Sequence, residues 1–336
     1  MWYTTTVDNS ANVGQYSCIV LDWNQQPAIC YYDATNNKLK LARWNGSSWS
    51  TQVIDDGGIY CSMVCGYFAL YISYQGSSGN LKRATISYSG SVTSEVVDSS
   101  TNISSTCIAY KYPSLSICYT SGTRIKYAVP RSGGGWNIYD TGHDGNYVSL
   151  VLDLDGNPHI SAVYNAVQLI YLYKSGSDWI RSVVDYARNK QTSIQLDNNN
   201  RVCIVYSNKM TDTLKYAYNT GIDWRCVEFN RGGLVDGSLK IVSNKFYISC
   251  AGTEGNVFYY TIEDYWQIET LPPTDVVGYI DLQIGSGDKA YISYCGNNNS
   301  LNHISNATGS WVNDIIDTSG TVRHTSIALI NQNLHE

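Results

Sequence analysis

The sequence predicts an all-β fold, a β-propeller of four-stranded antiparallel blades, and three observations carry that reading. Charged residues make up only 15% of the 336-residue chain while Tyr (29) and Gly (28) abound, a mixture that favours strands joined by tight turns. No segment sustains the apolar spacing of a helix. A four-strand unit recurs with a period of roughly 44 residues, the length of a propeller blade.

The unit is clearest from Cys18, where CIVLD, PAICYYD, KLKLARW and WSTQVID follow one another across short links rich in Asn, Gly or Asp. Four such runs make an antiparallel meander. The inner strand recurs at 62–65, 149–153, 193–197 and 326–329, with poorer copies near Cys107, Ser238 and Asp281. The second recurs at 71–74, 116–119, 159–164, 203–206, 247–250 and 291–294. The third returns at 81–84, 125–128 and 214–217 as Leu/Ile-Lys-Arg/Tyr-Ala. The outer strand opens with Trp at 2, 49, 136, 179, 224, 266 and 311, and Val92 fills the remaining slot. Large and small apolar residues alternate in the inner strand, so both faces of each sheet can pack on neighbouring blades, with the tryptophans expected to fill inter-blade space at the rim. Between blades, a crossing of several residues is expected, as from Asp140 to Tyr147.

Complete repeats fall at about 16–55, 60–98, 105–140, 147–185, 191–229, 236–271 and 279–317 of a single domain spanning 1–336. Unmatched terminal strands remain at 1–8 and 324–336. The expectation is seven complete blades with the termini associated as a split partial eighth, which would hide free edges; an eight-bladed ring is the alternative.

These columns resemble the S-I-A-L-D, P-x-I-S-Y-Y-D, L-K-Y-A, G-x-x-W and V-D repeats of secreted bacterial and archaeal propeller proteins, best seen at 18–55, 149–185 and 193–224. The resemblance spans essentially the whole chain and implies the fold. More distantly, the turns Gly46-Ser47-Ser48-Trp49, Gly176-Ser177-Asp178-Trp179 and Gly221-Ile222-Asp223-Trp224 are similar to the end of the Asp-box of sialidases and fungal propeller lectins. The Asp-box aspartate is replaced by Trp44, Lys174 and Asn219.

A formal charge of −6 leaves no basic stripe for phosphates or an anionic membrane, so no nucleic-acid partner is expected. No apolar run is long enough to span a bilayer, so no membrane insertion is expected. The opening Met1-Trp2-Tyr3-Thr4-Thr5 does not read as a secretory signal. An extracellular, virion or cell-surface location is expected, reached through a leader outside this text or by another route such as lysis. Sequons at Asn45, Asn102, Asn298 and Asn306 would matter only on a secretory route. Among ten cysteines, Cys18 with Cys30 and Cys107 with Cys118 occupy facing columns of adjacent strands and are candidate cross-strand disulfides, buried thiols being the other reading.

Catalytic signals are weak. The arginines are scattered, no sialidase-like cluster stands out, and no phosphate loop or nucleophile elbow appears. Asp153-Leu154-Asp155-Gly156-Asn157 opens like a calcium loop, but Tyr stands where the twelfth-position Glu belongs, and a hairpin turn is the better reading. The five histidines lack ligand spacing, so no metal and no cofactor is expected.

What stands out is Tyr16, Tyr60, Tyr147 and Tyr279, each two residues before an inner strand, three of them following Gly14, Gly58 or Gly145 in a G-x-Y pattern. Their rings and hydroxyls suit stacking on sugar or protein; packing between blades is the competing role. His143, Asp144, Asp236, Arg323 and His324 share those loops and complete the candidate ligand set. The function expected is a non-enzymatic surface binding module recognising a glycan or a surface protein through one propeller face. A propeller glycosidase or lyase, and a structural subunit of a larger assembly, are the alternatives.

Overall fold

The computed structural model describes residues 6–10, 12–232, 234–242, 245–252, 257–262, 266–271, 275–318 and 325–329. Among them the chain builds seven four-stranded antiparallel blades: 13–56, 57–98, 103–144, 146–186, 193–232, 234–270 and 276–317. Each is a meander with the inner strand first, as the repeat predicts. The described residues divide into two compact units, one within 6–166 and 170–183, the other within 167–169 and 184–329.

The boundaries differ from the expectation: the crossing expected from Asp140 to Tyr147 is strand up to Asp144 and again from Asn146, and one boundary has no break at all. Instead of a crossing loop, a single strand, Trp49–Cys65, is the outer strand of blade one and the inner strand of blade two, joining both into a seven-stranded sheet. Gly57 and Gly58 make this passage, with φ of 95° and 117°. A Cβ on Gly58 would stand 2.8 Å from the Leu39 Cα, and one on Gly57 2.6 Å from the Gln75 carbonyl oxygen. Only glycine combines that φ with so close an approach.

Within the first unit, apolar clusters lie between consecutive blades. Leu39, Leu41 and Ile54 of blade one pack with Met63, Leu70 and Ile72 of blade two, and Cys118, Ile125 and Tyr127 of blade three with Leu150, Ile160 and Leu172 of blade four. In the second unit, Cys203 and Tyr216 of blade five pack with Leu239 and Ile248 of blade six, and Tyr259 of blade six with Leu282 and Ile292 of blade seven. Both faces of the sheets are therefore buried, which explains strands such as Ala69–Gly76 that are apolar on each side.

A polar staple recurs beside these clusters. The aspartate ending one outer strand reaches a Tyr on the second strand and a Lys on the third strand of the following blade. Tyr119 donates to Asp98 at 2.5 Å and Lys126 at 2.9 Å; Tyr206 and Lys215 meet Asp185 at 2.6 and 3.1 Å; Tyr74 and Lys82 meet Asp55. Tyr31 and Lys40 do the same with Asp8. Residues 6–10 form no strand, but Asp8 thus stands where the end of a preceding outer strand would. The rest of the expected N-terminal strand, 1–5, lies outside the described residues.

The other terminal expectation has a similar outcome. Residues 325–329 are not paired as a strand, yet Thr325 Oγ1 donates to the Tyr279 carbonyl and the Ile327 amide to Asp281 at 3.1 Å. Between blades two and three, the Thr106 hydroxyl and the Ile108 amide reach the Tyr60 carbonyl and the Ser62 hydroxyl in the same way. Residues 325–329 therefore lie on blade seven as the inner strand of a following blade would. Arg323, His324 and 330–336 are outside the described residues.

The expected disulfides are corrected. Cys18 faces Cys30 and Cys107 faces Cys118 across adjacent strands, as the columns imply, but none of the four is joined in a disulfide. The sulfurs of the first pair also reach blade two, Cys18 Sγ toward the Met63 carbonyl and Cys30 Sγ to Cys61 Sγ at 3.6 Å. Burial pushes the Cys107 thiol up to about 11, so it packs as a protonated apolar group.

Candidate functional site

The four tyrosines singled out by the repeat share one backbone device. Tyr16, Tyr60, Tyr147 and Tyr279 have φ of 53°, 57°, 56° and 51°, in the left-handed region that side chains rarely adopt. Each sits where the inner strand slips register against its neighbour, a β-bulge. The bulge turns the backbone carbonyl toward the next blade, where Tyr16 accepts from Cys61, Tyr60 from Thr106 and Tyr279 from Thr325. The repeated role is therefore inter-blade bonding through the main chain. The rings of Tyr16 and Tyr60 meet edge to face at 5.0 Å, and Tyr279 is 46% exposed.

The remaining candidates disperse. His143 and Asp144 end the outer strand of blade three, where Arg124 pairs with Asp140 at 3.5 Å and Asp144 at 3.4 Å. Asp236 pairs with Ala251 in the sheet of blade six, and its side chain lies outside the described residues. The calcium-like turn is a hairpin: Asp153 Oδ1 accepts the amides of Asp155 and Asn157 at 2.9 and 2.7 Å.

A cavity forms elsewhere, in the niche between blades six and seven. It measures about 140 Å³ and is lined by Lys245, Tyr247, Tyr259, Thr261, Glu269, Asp288 and Asn306. Tyr247 and Tyr259 are buried and stacked, their centroids 6.5 Å apart, and form an aromatic wall. Trp311, from the tryptophan column of blade seven, packs edge-on against Tyr259 at 4.9 Å and donates its indole N–H to Glu269 at 2.5 Å. Lys245 Nζ lies 2.8 Å from Asp288. Hydrogen bonds from Lys245 and Tyr247 hold the Asp288 carboxyl below the usual range, against a smaller upward push from burial. Burial raises the Tyr259 hydroxyl, which stays protonated and able to donate.

The niche is a repeated place in the fold. Between blades two and three, Arg83 takes the column of Tyr259, Glu95 that of Glu269 and Trp136 that of Trp311. Arg83 Nη2 lies 2.7 Å from Glu95, Trp136 donates to the same carboxylate oxygen at 3.0 Å, and the guanidinium covers the Trp136 and Tyr71 rings at 5.1 and 5.6 Å. Here the cation lies between the rings. Between blades three and four, Tyr127 meets Trp179 at 5.3 Å, and Tyr139 replaces the glutamate. The Trp179 N–H finds no partner among the described residues.

Sequence reasoning assigned the tryptophans to inter-blade packing and missed the niche. The available signal was an acidic residue three positions after the tryptophan column, at Glu95, Glu269 and Asp314. Each niche draws on strands of two blades, so no contiguous motif marks it.

No protein-family model and no curated protein matches the chain. Solved structures do. A lectin of Aleuria aurantia, bound to Fucα1-6GlcNAc, is 11% identical over 90% of this chain and 96% of its own, with a TM-score of 0.51. A mutant of AofleA from Arthrobotrys oligospora, in which arginines are replaced by alanine, is 12% identical over 77% of this chain and 89% of its own, also at 0.51. A structure from a study of two prolyl endopeptidases is 10% identical at a TM-score of 0.57, and this chain covers 50% of it. The Aleuria lectin is described as a six-bladed β-propeller. The seven blades found here have the β-propeller fold.

Proposed function

We propose that this chain is a non-enzymatic carbohydrate-binding module whose sugar site is the niche between blades six and seven. The observation that carries the reading is a cavity combining a stacked tyrosine wall with a lysine, two carboxylates, an amide and a hydroxyl. Such a set offers an apolar face for C–H groups, plus donors and acceptors for hydroxyls, in a space that suits one sugar residue rather than a drug-sized ligand. Support comes from the propeller lectins of similar fold, of which the Aleuria aurantia lectin was solved with Fucα1-6GlcNAc.

Binding is favoured over cleavage by how the carboxylates are held. A glycoside-cleaving pair needs one carboxyl kept protonated as the acid. Asp288 is instead held ionised, and Glu269 accepts from Trp311. A module of this kind acts at an extracellular, cell or virion surface, where glycans are displayed.

The test is a glycan array followed by calorimetric titration, with α-methyl-L-fucoside as the first ligand. Lys245→Ala and Glu269→Gln are expected to weaken binding of any array hit by about tenfold each, the equivalent of one strong hydrogen bond. Absence of any hit, or a hit insensitive to both changes, would overturn the assignment.

A further inference from the structure

Within an antiparallel blade, the turn from inner to second strand and the turn from third to outer strand leave the sheet at the same end. In blades one to three these turns carry rings. Trp23 stands in turn 22–26, Tyr67 and Phe68 in turn 66–68, Tyr88 in the third-to-outer turn of blade two, and Tyr112 in the first turn of blade three. Tyr67, Phe68, Tyr88 and Tyr112 are 72, 64, 67 and 68% exposed. They are nevertheless not isolated. Tyr67 meets Phe68 at 4.7 Å and, across the blade boundary, Tyr112 at 5.9 Å, while Trp23 of blade one meets Tyr88 of blade two at 5.1 Å.

Rings thus link across both boundaries of blades one to three at one end. The matching turns of blades five and seven, 197–201 and 285–289, have no aromatic residue. Trp23 packs against the core between blades one and two, but packing does not account for Tyr67, Phe68, Tyr88 and Tyr112, which are mostly exposed. Two groups of exposed rings at one end of adjoining blades, Trp23 with Tyr88 and Phe68 with Tyr67 and Tyr112, present apolar surface of the kind that marks a binding site.

The charge of the band selects its occupant. Within turns 22–26, 66–68, 88–91 and 112–113 the only charged residue is Asp22, and it is buried, paired with Arg43 at 3.0 Å and accepting the Asn24 and Gln26 amides. Lys111 beside Tyr112 and the exposed Arg131 in the third-to-outer turn of blade three stand at one edge of the rings. The turns that carry the rings expose no charge of their own, so the ring surface itself has no complement for a polyanion or an anionic bilayer. Its polar groups are tyrosine and serine hydroxyls and the exposed amides of Asn24 and Gln25. Rings for apolar faces, with hydroxyls and amides between them, match a neutral sugar chain, in which each unit has a C–H face and a hydroxyl rim. We propose that this aromatic band binds an extended neutral polysaccharide across blades one to three, as a site separate from the niche of blades six and seven.

The inference does not rest on that niche being a sugar site, and the experiment keeps the two apart. Hexasaccharides of β-1,4-linked glucose, xylose, mannose and N-acetylglucosamine are titrated against the intact chain and against the triple variant Y67A/F68A/Y88A. At least one hexasaccharide should bind about tenfold more tightly than its monosaccharide, and the triple variant should lose that gain while K245A keeps it. Hydrogen exchange on the intact chain gives a readout independent of the variant's folding, with protection by the hexasaccharide expected at 65–69 and 110–114. Equal binding by the triple variant, or no preference for length, overturns the proposal. So would a concentration-dependent dimer mass in light scattering, or capture by neutral phosphatidylcholine vesicles, if either vanished in the triple variant.

Discussion

At the scale of single residues, repetition lets one position be read against its counterparts. The third-strand column that holds Arg83 and Tyr259 in the niches holds Tyr127 in blade three, Tyr216 in blade five and His303 in blade seven. His303 is buried, with Asp314 as its cross-strand partner. Burial lowers its pKa to about 4, and the nearby carboxylate recovers only part of the shift. Because protonation is harder in the folded chain, the unfolded chain binds the proton first as the medium is acidified. The associated stability is complete above the ordinary histidine value near 6.5 and falls toward pH 4, by about 1.4 kcal/mol per pH unit for one proton. His303→Tyr installs the column's usual residue and should remove this limb. Urea midpoints between pH 7 and 4 check it, and parallel curves for both proteins would refute the role of His303.

At the scale of strands, the staples show what the repeated columns are for. Burial alone would raise the Asp98 carboxyl, but hydrogen bonds from Tyr119, the Ser100 amide and Lys126 hold it at about 2. In blade seven the corresponding hydroxyl, Tyr294, meets the neutral amide oxygen of Asn313 at 2.7 Å. Removing a hydroxyl from a buried charged acceptor costs about 1.5–3 kcal/mol, against about 1 kcal/mol for a neutral one. Tyr119→Phe should therefore cost more than Tyr294→Phe in denaturant titrations, and equal costs would mean that the staple is only packing. Most of this element scale was legible in the sequence, since strand order, period and the tryptophan column all follow from local alternation and turn residues. The cysteine columns mark register equally well, yet they do not reveal the contact of Cys30 with Cys61, which lies on the neighbouring blade. The niche was illegible for the same reason: Glu269 and Trp311 lie 42 residues apart and meet only once blades stack.

At the scale of the whole molecule, the two ends of the described chain each occupy a place that the repeat assigns to a neighbouring blade. Asp8 is held by Tyr31 and Lys40 as Asp55 is held by Tyr74 and Lys82. Burial raises the Asp8 carboxyl, but Lys40, Ser10 and Tyr31 outweigh it and keep the group ionised well below the usual range. At the other end, Thr325 and Ile327 donate to blade seven, and Gln283 Nε2 donates to the Ile327 carbonyl at 3.2 Å. Leu282 and Ile284 of the inner strand face blade six, and residues 325–329 lie on its other face, at Asp281 and Gln283, which would be left bare without them. Removing residues 325–336 should therefore loosen the blade on which they lie. Three hydrogen bonds at about 1 kcal/mol each set the scale of the loss. Amide exchange across Val276–Ile284 should accelerate accordingly, by about a hundredfold for a change near 3 kcal/mol. Unchanged exchange there would mean that the segment only rests on blade seven, and that the inner strand is stabilised by its own sheet.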